Sequence, residues 1–362
     1  MRRITLLLSC LAMIACTKEE RVYTKQIDID FKEKGNDTFA LSQIIEDVTY
    51  IKLDTSCFIG QIDEIKMHAG TYYICNKCEG AIHRFGKDGK HIMSLKKRGR
   101  ARNEYIVIND FDVSPLNGEI HIYDSSSKRI MVYTKDGVFM RAFPTDDIIR
   151  DFAVMSNGDY LIYTPDQNGD ARRGLWKTDS VGNFKEQLVI IDEEFQYGGL
   201  YPQYLFRIDD NQIGLMGGED ADNFYSISEK AAHEWLHLNY NITIPPSIQK
   251  ERNPDFMKYK GKLYTKNTYS ETHRWLWFHT TDLETEMLCI YDKSNDACYK
   301  LTRQEQLTMD RDMFGYTLSC YNDTFVNVID AHTIISDTTL HKRFPDITEN
   351  SNPVLEIAKA TE

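Results

Sequence analysis

The chain has 362 residues and a formal net charge of −12, with 41% hydrophobic and 12% aromatic residues. An acidic surface repels phosphate backbones, so we exclude nucleic acid as an expected partner. The apolar fraction is large enough for a packed core, and no segment after the N-terminus is apolar enough to span a bilayer.

The N-terminus has the order of a secretory signal. Arg2 and Arg3 precede an apolar run over residues 4–14, and a small residue, Ala15, stands before Cys16. The apolar run is shorter than the roughly 20 residues that a permanent membrane helix needs. We therefore predict that residues 1–15 are a cleaved signal peptide.

Two short segments after the apolar run resemble signals of bacterial lipoproteins. Residues 13–16 (MIAC) resemble a lipobox, which implies that Cys16 is lipidated; a plain secretory signal is the alternative. Residues 18–20 (KEE) resemble the lysine-acid-acid signal of surface lipoproteins, which implies an outer membrane lipoprotein exposed at the cell surface. A periplasm-facing orientation is the alternative. We expect residues 16–40 to be a lipidated tether and residues 41–362 to be one domain.

A repeat in the following residues predicts the fold. Residues 108–113 (INDFDV) and 149–154 (IRDFAV) are alternating segments, each followed by an Asn-Gly pair and a second alternating segment. Asn-Gly supplies the positive φ angles that tight hairpin turns require. A second repeat ends an aromatic strand in a polar turn, as in residues 84–90 (RFGKDGK) and 132–138 (VYTKDGV).

A period of about 40 to 60 residues with four short strands is typical of propeller blades. The predicted fold is all-β: a six-bladed β-propeller with four-stranded antiparallel blades. The sixth copy is short of strands, so we expect residues 48–53 (VTYIKL) and 353–358 (PVLEIA) to complete it and close the ring. The innermost strands are predicted near Ile62, Ile108, Ile149, Tyr204, Glu271 and Met313.

Several motifs resemble one known family. Asp88-Gly89-Lys90, Glu104-Tyr105, residues 50–55 (YIKLDT) and residues 352–355 (NPVL) resemble the six-bladed β-propeller lipoproteins of Gram-negative gut-type bacteria, relatives of the NHL and TolB-like propellers. The resemblance covers nearly all of the mature chain. It implies a fold and a cellular location more than an activity. Residues 99–105 (GRARNEY) keep only the first glycine and the final Glu-Tyr of that family's Gly-x-Gly-Pro-Gly-Glu-Tyr loop.

Residues 233–237 (HEWLH) match the zinc-protease pattern of two histidines flanking a glutamate. That chemistry needs a helix, which brings residues i and i+4 to within about 6 Å of one another. On a strand the same residues stand about 13 Å apart, at roughly 3.3 Å per residue. The segment continues as an alternating run rich in β-forming residues, so we predict a strand and no metal site.

No other motif predicts a catalytic residue, a metal site or a required cofactor. Residues 166–170 (DQNGD) resemble the opening of a calcium loop without its turn glycine, which leaves incidental calcium binding open. Cys75 and Cys78 have redox or metal spacing but no second pair. Cys289 and Cys298 sit diagonally across a predicted hairpin, where a disulfide is disfavoured.

Five cations within residues 96–102 stand out in this acidic chain. Lys97, Arg98, Arg100 and Arg102 are therefore a candidate anion-binding loop, with a solvated interblade loop as the alternative. We expect a monomeric binding or scaffold module for a glycan, a peptide or a partner protein such as another lipoprotein, and not an enzyme. The rival hypothesis is a metal-dependent hydrolase or lyase with its site in the central channel.

Overall fold

The computed structural model describes residues 25–33, 43–145, 148–164, 172–190, 204–217, 222–242, 258, 260–261, 265–302 and 319–361, with side chains undescribed at 265–268. The described residues form six small sheets arranged as a six-bladed propeller. No helix among them is long and apolar enough to cross a membrane.

Two strands, β1 (Lys25–Ile29) and β2 (Ile45–Lys52), precede the first complete blade. Blade one comprises β3 (Glu64–His68), β4 (Thr71–Asn76), β5 (Ala81–Phe85) and β6 (His91–Leu95). Blade two comprises β7 (Asp110–Val113), β8 (Ile120–Asp124), β9 (Arg129–Tyr133) and β10 (Phe139–Pro144). Blade three comprises β11 (Asp151–Val154), β12 (Tyr160–Thr164), β13 (Gly174–Thr178) and β14 (Phe184–Ile190).

Blade four comprises β15 (Leu205–Arg207), β16 (Ile213–Gly217), β17 (Asn223–Ile227) and β18 (Ala232–Tyr240). Blade five comprises β19 (Thr265–Glu271), β20 (Trp275–Thr281), β21 (Glu286–Asp292) and β22 (Ala297–Thr302). Blade six comprises β23 (Ser319–Tyr321), β24 (Thr324–Ile329) and β25 (Val354–Ala360), completed by β2. The first strand of each blade is the innermost, and these inner strands contact one another around the ring.

The predicted propeller and the predicted closure are confirmed. β2 pairs antiparallel with β25, and Ile51 lies opposite Leu355 in that register. β25 in turn pairs with β24, so both chain ends share the sixth sheet. The first five inner strands lie where the repeat predicted them; Met313 lies outside the described residues, and the sixth described inner strand begins at Ser319.

The Asn-Gly hairpins have the backbone geometry that their sequence predicts. Gly118 has a φ of +74° and Gly158 a φ of +84°, in the left-handed region where a glycine is free of steric cost. These turns connect the innermost strand to the second strand in blades two and three. The local sequence thus sets the register of the two blades whose repeat is clearest.

β1 lies N-terminal to the predicted start of the domain at residue 41, yet it joins blade four. It pairs in parallel with β18 as a fifth strand. Ile27 and Ile29 alternate along β1 and are buried in one apolar cluster with Leu236 and Leu238. The alternation explains why this short segment docks on a sheet edge.

Two short helices between β24 and β25 have no counterpart in the predicted pattern. They are α1 (Ala331–Ser336) and α2 (Thr338–Arg343). The Asp337 carboxylate caps α2 by accepting hydrogen bonds from the backbone N–H groups of Thr339 and Leu340. Ile334 is buried against Phe344, which attaches the helices to blade six.

Candidate functional site

Buried charged side chains surround the central channel. Alternation along each inner strand places residues two apart on the same face, as with Asp110 and Asp112 on β7. The intervening Phe111 points the other way, into the apolar core shared with blade one. These inner-strand charges are Glu64, Lys66, Asp110, Asp112, Asp151 and Arg207.

Three of the aspartates connect one blade to the next by accepting backbone hydrogen bonds. Asp110 Oδ2 accepts from the N–H of Phe152 at 3.1 Å. Asp112 Oδ2 accepts from the N–H of Val154 at 2.7 Å. Both contacts cross from blade two to blade three. We call such a contact a carboxylate bridge.

The third bridge repeats the arrangement one blade later. Asp151 Oδ2 accepts from the N–H groups of Tyr204 and Leu205, at 2.6 and 2.8 Å, and so connects blade three to blade four. Asp110 and Asp151 occupy the same position in their blades, 41 residues apart. The repeated aspartate of the sequence is therefore a structural residue of the ring.

The two repeated aspartates have raised pKa values. Burial is the main cause at Asp110, and the neighbouring Asp151 and Glu64 add to it, so the pKa of Asp110 lies well above its ordinary value. Burial likewise raises the pKa of Asp151 to about 6, against the opposing effects of Lys66 and the two backbone donors. Both carboxyls therefore favour the neutral form more than exposed aspartates do.

The pKa of Asp112 is lowered instead, because this carboxylate has a cationic partner. Burial acts to raise its pKa, but Arg207, whose Nη2 lies 2.7 Å from Asp112 Oδ2, and Lys66 outweigh burial and lower it. Arg207 Nη2 also donates to the carbonyl oxygen of Val154 at 2.6 Å. Arg207 Nη1 is buried and makes no hydrogen bond to any residue that the structure describes.

A cavity opens beside Arg207, and we call it the channel mouth. Together with the open space in front of it, the cavity spans ≈ 360 Å³, but its enclosed part has room for only about one water molecule. Its apolar lining includes Met67 and Phe206, and its polar lining includes Lys66, Ser319 and Tyr321. The cavity lies among inner strands of blades one, two, four and six.

Acidic groups and a histidine follow the ends of the inner strands on this side. His273 contacts a carboxylate oxygen of Asp209 through Nε2 and one of Asp323 through Nδ1, both at 2.8 Å. Partial burial acts to lower the pKa of His273, but these two partners outweigh it and raise that pKa. Tyr321 donates its hydroxyl hydrogen to Asp210 at 2.5 Å. The polar groups that follow the inner strands beside the channel mouth are therefore held in place by one another.

A family model matches residues 24–359; the family is described as a domain of unknown function, DUF4934. The chain belongs to the DUF4934 family.

Solved structures of other proteins are similar to this DUF4934 chain. A Bacteroides fragilis protein that bears the name of an exported protein covers 94% of the chain and 100% of its own length, at 16% identity and a TM-score of 0.75. A DUF4221 protein from Bacteroides vulgatus covers 88% and 97%, at 9% identity and a TM-score of 0.49. A gluconolactonase from Xanthomonas campestris covers 91% and 95%, at 12% identity and a TM-score of 0.44. No curated protein matches the chain.

The predicted anion-binding loop of the DUF4934 chain connects β6 to β7, and three of the five cations in residues 96–102 have structural contacts. Lys96 forms an ion pair with Glu79 at 3.3 Å. The Lys97 ammonium lies 5.8 Å from the centre of the Tyr133 ring. Arg98 donates to the carbonyl oxygen of Cys78 at 3.4 Å. Arg100 and Arg102 are exposed. The structure does not bring the four predicted anion-binding side chains to the channel mouth.

The loop residues that match the lipoprotein propellers hold the loop together. Glu104 Oε2 accepts from the N–H of Ala101 at 2.9 Å, and a side chain at Gly99 would collide with that carboxylate. Tyr105 is buried and donates to the carbonyl oxygen of Gly80 at 2.8 Å. The residues that replace the family's other glycines lie on the exposed part of the loop.

The zinc-protease pattern lies on a strand, as predicted. Residues 233–237 belong to β18, and His237 Nδ1 contacts Asn223 Oδ1 at 2.6 Å. Cys289 and Cys298 are free and diagonal, because Cys298 lies opposite Tyr291. Cys16 and the calcium-like residues 166–170 lie outside the described residues.

Sequence reasoning did not find one cluster of metal-ligating side chains. In the described part of the chain, Cys57, His83 and His91 place one ligand atom each within 4.8 Å of the others. They lie at the outer part of blade one, away from the inner strands. Spacings of 26 and 8 residues match no familiar metal motif, so only the fold brings them together.

Proposed function

We propose that this protein is a lipid-anchored binding module that holds an oxygen-rich ligand, a glycan or a peptide, at the channel mouth. The observation that carries the proposal is Arg207, which lines this cavity and whose buried Nη1 has no hydrogen-bond partner among the described residues. A buried donor without a partner costs about 1–3 kcal/mol. A ligand carbonyl, hydroxyl or carboxylate oxygen would remove that cost.

The composition of the channel mouth suits the tip of a larger molecule. Arg207 is fixed by Asp112, so its remaining donors are oriented before a ligand arrives. Phe206 and Met67 offer apolar surface beside these donors. The enclosed part of the cavity has room for about one water molecule, so a ligand would insert a single polar group there and lie mostly on the propeller face.

Arrays of glycans and peptides test the ligand site. We expect Arg207→Lys to weaken binding at least tenfold, because lysine keeps a charge beside Asp112 but lacks the guanidinium fork. The double variant Arg100→Ala/Arg102→Ala is the matched control and should bind as the wild type does. Loss of binding in the control alone would indicate that the ligand binds at the loop between β6 and β7. If the wild type bound no array and crosslinked to no partner on cells, the proposal would fail.

Localisation to the outer membrane is part of the same proposal. The signal order before Cys16, the resemblance to lipoprotein propellers related to the NHL and TolB-like folds, and the name of the similar Bacteroides fragilis protein support it. Cys16→Ala should abolish incorporation of labelled palmitate, while Cys10→Ala should not. Protease treatment of intact cells should degrade the wild type; protection would indicate the periplasm-facing orientation instead.

A metal-dependent hydrolase or lyase at the channel is the second candidate. The raised pKa values of Asp110 and Asp151 favour it, because catalytic acids often have this property. Against it, both side chains are engaged in carboxylate bridges. Metal that is lost from Asp110→Asn but retained by Cys57→Ser would support the enzyme.

A further inference from the structure

Three potential metal ligands converge where the ring closes. Cys57 lies in the segment between β2 and β3, His83 on β5, and His91 at the start of β6. Cys57 Sγ lies 3.0 Å from His83 Nδ1. The sequence runs directly from the closing strand β2 into this segment, so the cluster joins the closed seam to the outer strands of blade one.

A distant side chain fixes the Cys57 segment in place. Asn352 Nδ2 donates to the carbonyl oxygens of Asp54 and Cys57, at 2.8 and 2.7 Å. Its Oδ1 accepts from the N–H of Ile59 at 2.7 Å. Asn352 is buried and precedes β25, so the C-terminal part of the chain determines where the Cys57 thiol lies.

The Ser94 hydroxyl oxygen lies among the three ligand atoms. Ser94 Oγ lies 2.8 Å from His83 Nδ1, 2.9 Å from His91 Nε2 and 3.5 Å from Cys57 Sγ. Tetrahedral zinc with bonds of about 2.0–2.3 Å separates its ligand atoms by roughly 3.3–3.6 Å. Small side-chain rotations therefore bring the three ligands to a common ion, with the Ser94 hydroxyl or a water molecule as the fourth.

The far side of the His83 ring has the partner that metal-bound histidines use. His83 is fully buried, and its Nε2 makes no aligned hydrogen bond to a described residue. Glu79 Oε2 lies 3.4 Å from this nitrogen. A carboxylate behind a ligating imidazole orients the ring and makes it a better donor to the metal. Glu79 is half-exposed and also pairs with Lys96 at 3.3 Å, and a small motion of its carboxylate would complete the hydrogen bond to His83.

We propose that Cys57, His83 and His91 bind a zinc ion at the seam of the propeller. One thiolate and two imidazoles favour zinc over magnesium and calcium, which prefer oxygen ligands. The ion connects the segment that leaves the closing strand to the two outer strands of blade one. Because it binds only the closed ring, it stabilises the folded state and raises the melting temperature.

Metal-free mature protein, prepared with a chelator, is titrated with zinc by calorimetry and with cobalt by absorption spectroscopy. We expect one zinc per chain, a higher Tm with zinc, and a cobalt spectrum with a thiolate charge-transfer band and intense visible bands of a four-coordinate ion. Cys57→Ser should remove the charge-transfer band and weaken zinc binding at least a hundredfold. Glu79→Gln should weaken it about tenfold.

Cys78→Ser is the matched control, because Cys78 is an exposed free thiol on the turn after β4. It should leave zinc affinity and the cobalt spectrum unchanged. His91→Asn replaces a half-buried ligand and provides a second variant, with the metal-free Tm as the check on folding. Unchanged zinc affinity in Cys57→Ser, a charge-transfer band that depends on Cys78, or no binding at micromolar zinc would overturn the proposal.

Discussion

Blades two, three and four are joined to one another differently from blades six and one. Between the former, the carboxylates of Asp110, Asp112 and Asp151 accept backbone hydrogen bonds from the next inner strand. At the latter, two chain ends share a sheet, and the neutral Asn352 amide holds the segment that follows. Buried carboxyls of the inner strands connect one region. Pairing of the two chain ends connects the other, with the Asn352 amide, the Tyr50–Glu356 hydrogen bond and the Lys359–Glu46 ion pair beside it.

The two regions should therefore respond to different perturbations. A joint made of buried carboxyls depends on their protonation and on cationic partners such as Arg207 and Lys66. A joint made of paired chain ends depends first on the presence of both ends. Mutations and pH therefore separate the two kinds of joint.

Removing a closing strand should have the largest effect. Deletion of residues 43–53 takes away β2 and exposes the edge of β25, so the ring stays open. We expect loss of the cooperative thermal transition followed by circular dichroism. A cooperative transition near the wild-type temperature would show that closure by β2 is dispensable.

Breaking the ion pair of the inner strands should come next. Asp112→Asn leaves Arg207 buried without its charge partner and should cost about 3–5 kcal/mol of unfolding free energy in urea. Asp110→Asn is the matched control, because burial raises the pKa of this carboxyl and no cation among the described residues is paired with it, so the neutral amide should cost less than about 1 kcal/mol. Equal losses in the two variants would contradict this distinction.

The raised pKa of Asp151 makes part of the stability depend on pH. Its folded pKa of about 6 exceeds the ordinary value of 3.8, so its contribution is complete below pH 3.8 and is lost as pH rises through 6. Between pH 4 and 7, wild type should therefore lose stability relative to Asp151→Asn, by about 3 kcal/mol at most. Urea unfolding of both proteins at each pH gives this difference, and a constant difference would refute the assignment.

At the seam, Asn352→Ala should cost about 2 kcal/mol, because it removes three hydrogen bonds from the segment around Cys57. The loss should be the same at pH 5 and pH 7, unlike that of Asp151→Asn. Asn117→Ala, which changes an exposed hairpin turn, is the control for a generic asparagine effect. A loss of unfolding free energy in Asn352→Ala that depended strongly on pH would contradict the distinction between the two joints.

The smallest effects should come from the loop between β6 and β7. Tyr105→Phe removes a buried hydroxyl that donates to Gly80 and should cost about 1 kcal/mol. Arg100→Ala/Arg102→Ala changes exposed side chains and should stay within about 0.5 kcal/mol of wild type in the same urea titration. A larger effect of the arginine pair would show that these side chains have structural partners.

Local sequence predicts the blades well because their turns have their own chemistry. Asn117-Gly118 and Asn157-Gly158 can form tight hairpins without help from distant residues. The alternation of residues 48–53 and 353–358 likewise predicted strands, and the need to cover sheet edges predicted their pairing. The helices α1 and α2 escaped prediction because six-residue helices are held by burial of Ile334 and Phe344 more than by local preference.

The candidate sites could not be read from the sequence because they are assembled across blades. Asp112 and Arg207 are 95 residues apart, and Asn352 holds Cys57 from 295 residues away. No periodicity connects such pairs. The repeat located Asp110 and Asp151 correctly, but it could not show that their carboxyls accept hydrogen bonds from the next blade.

The docking of β1 has a mechanical consequence. Besides pairing with β18, the N-terminal segment contacts blade five through ion pairs of Lys25 with Asp296 and of Glu33 with Lys300. If the chain is tethered ahead of β1, tension on the tether is borne first by blades four and five. The seam between blades six and one is then shielded from that load.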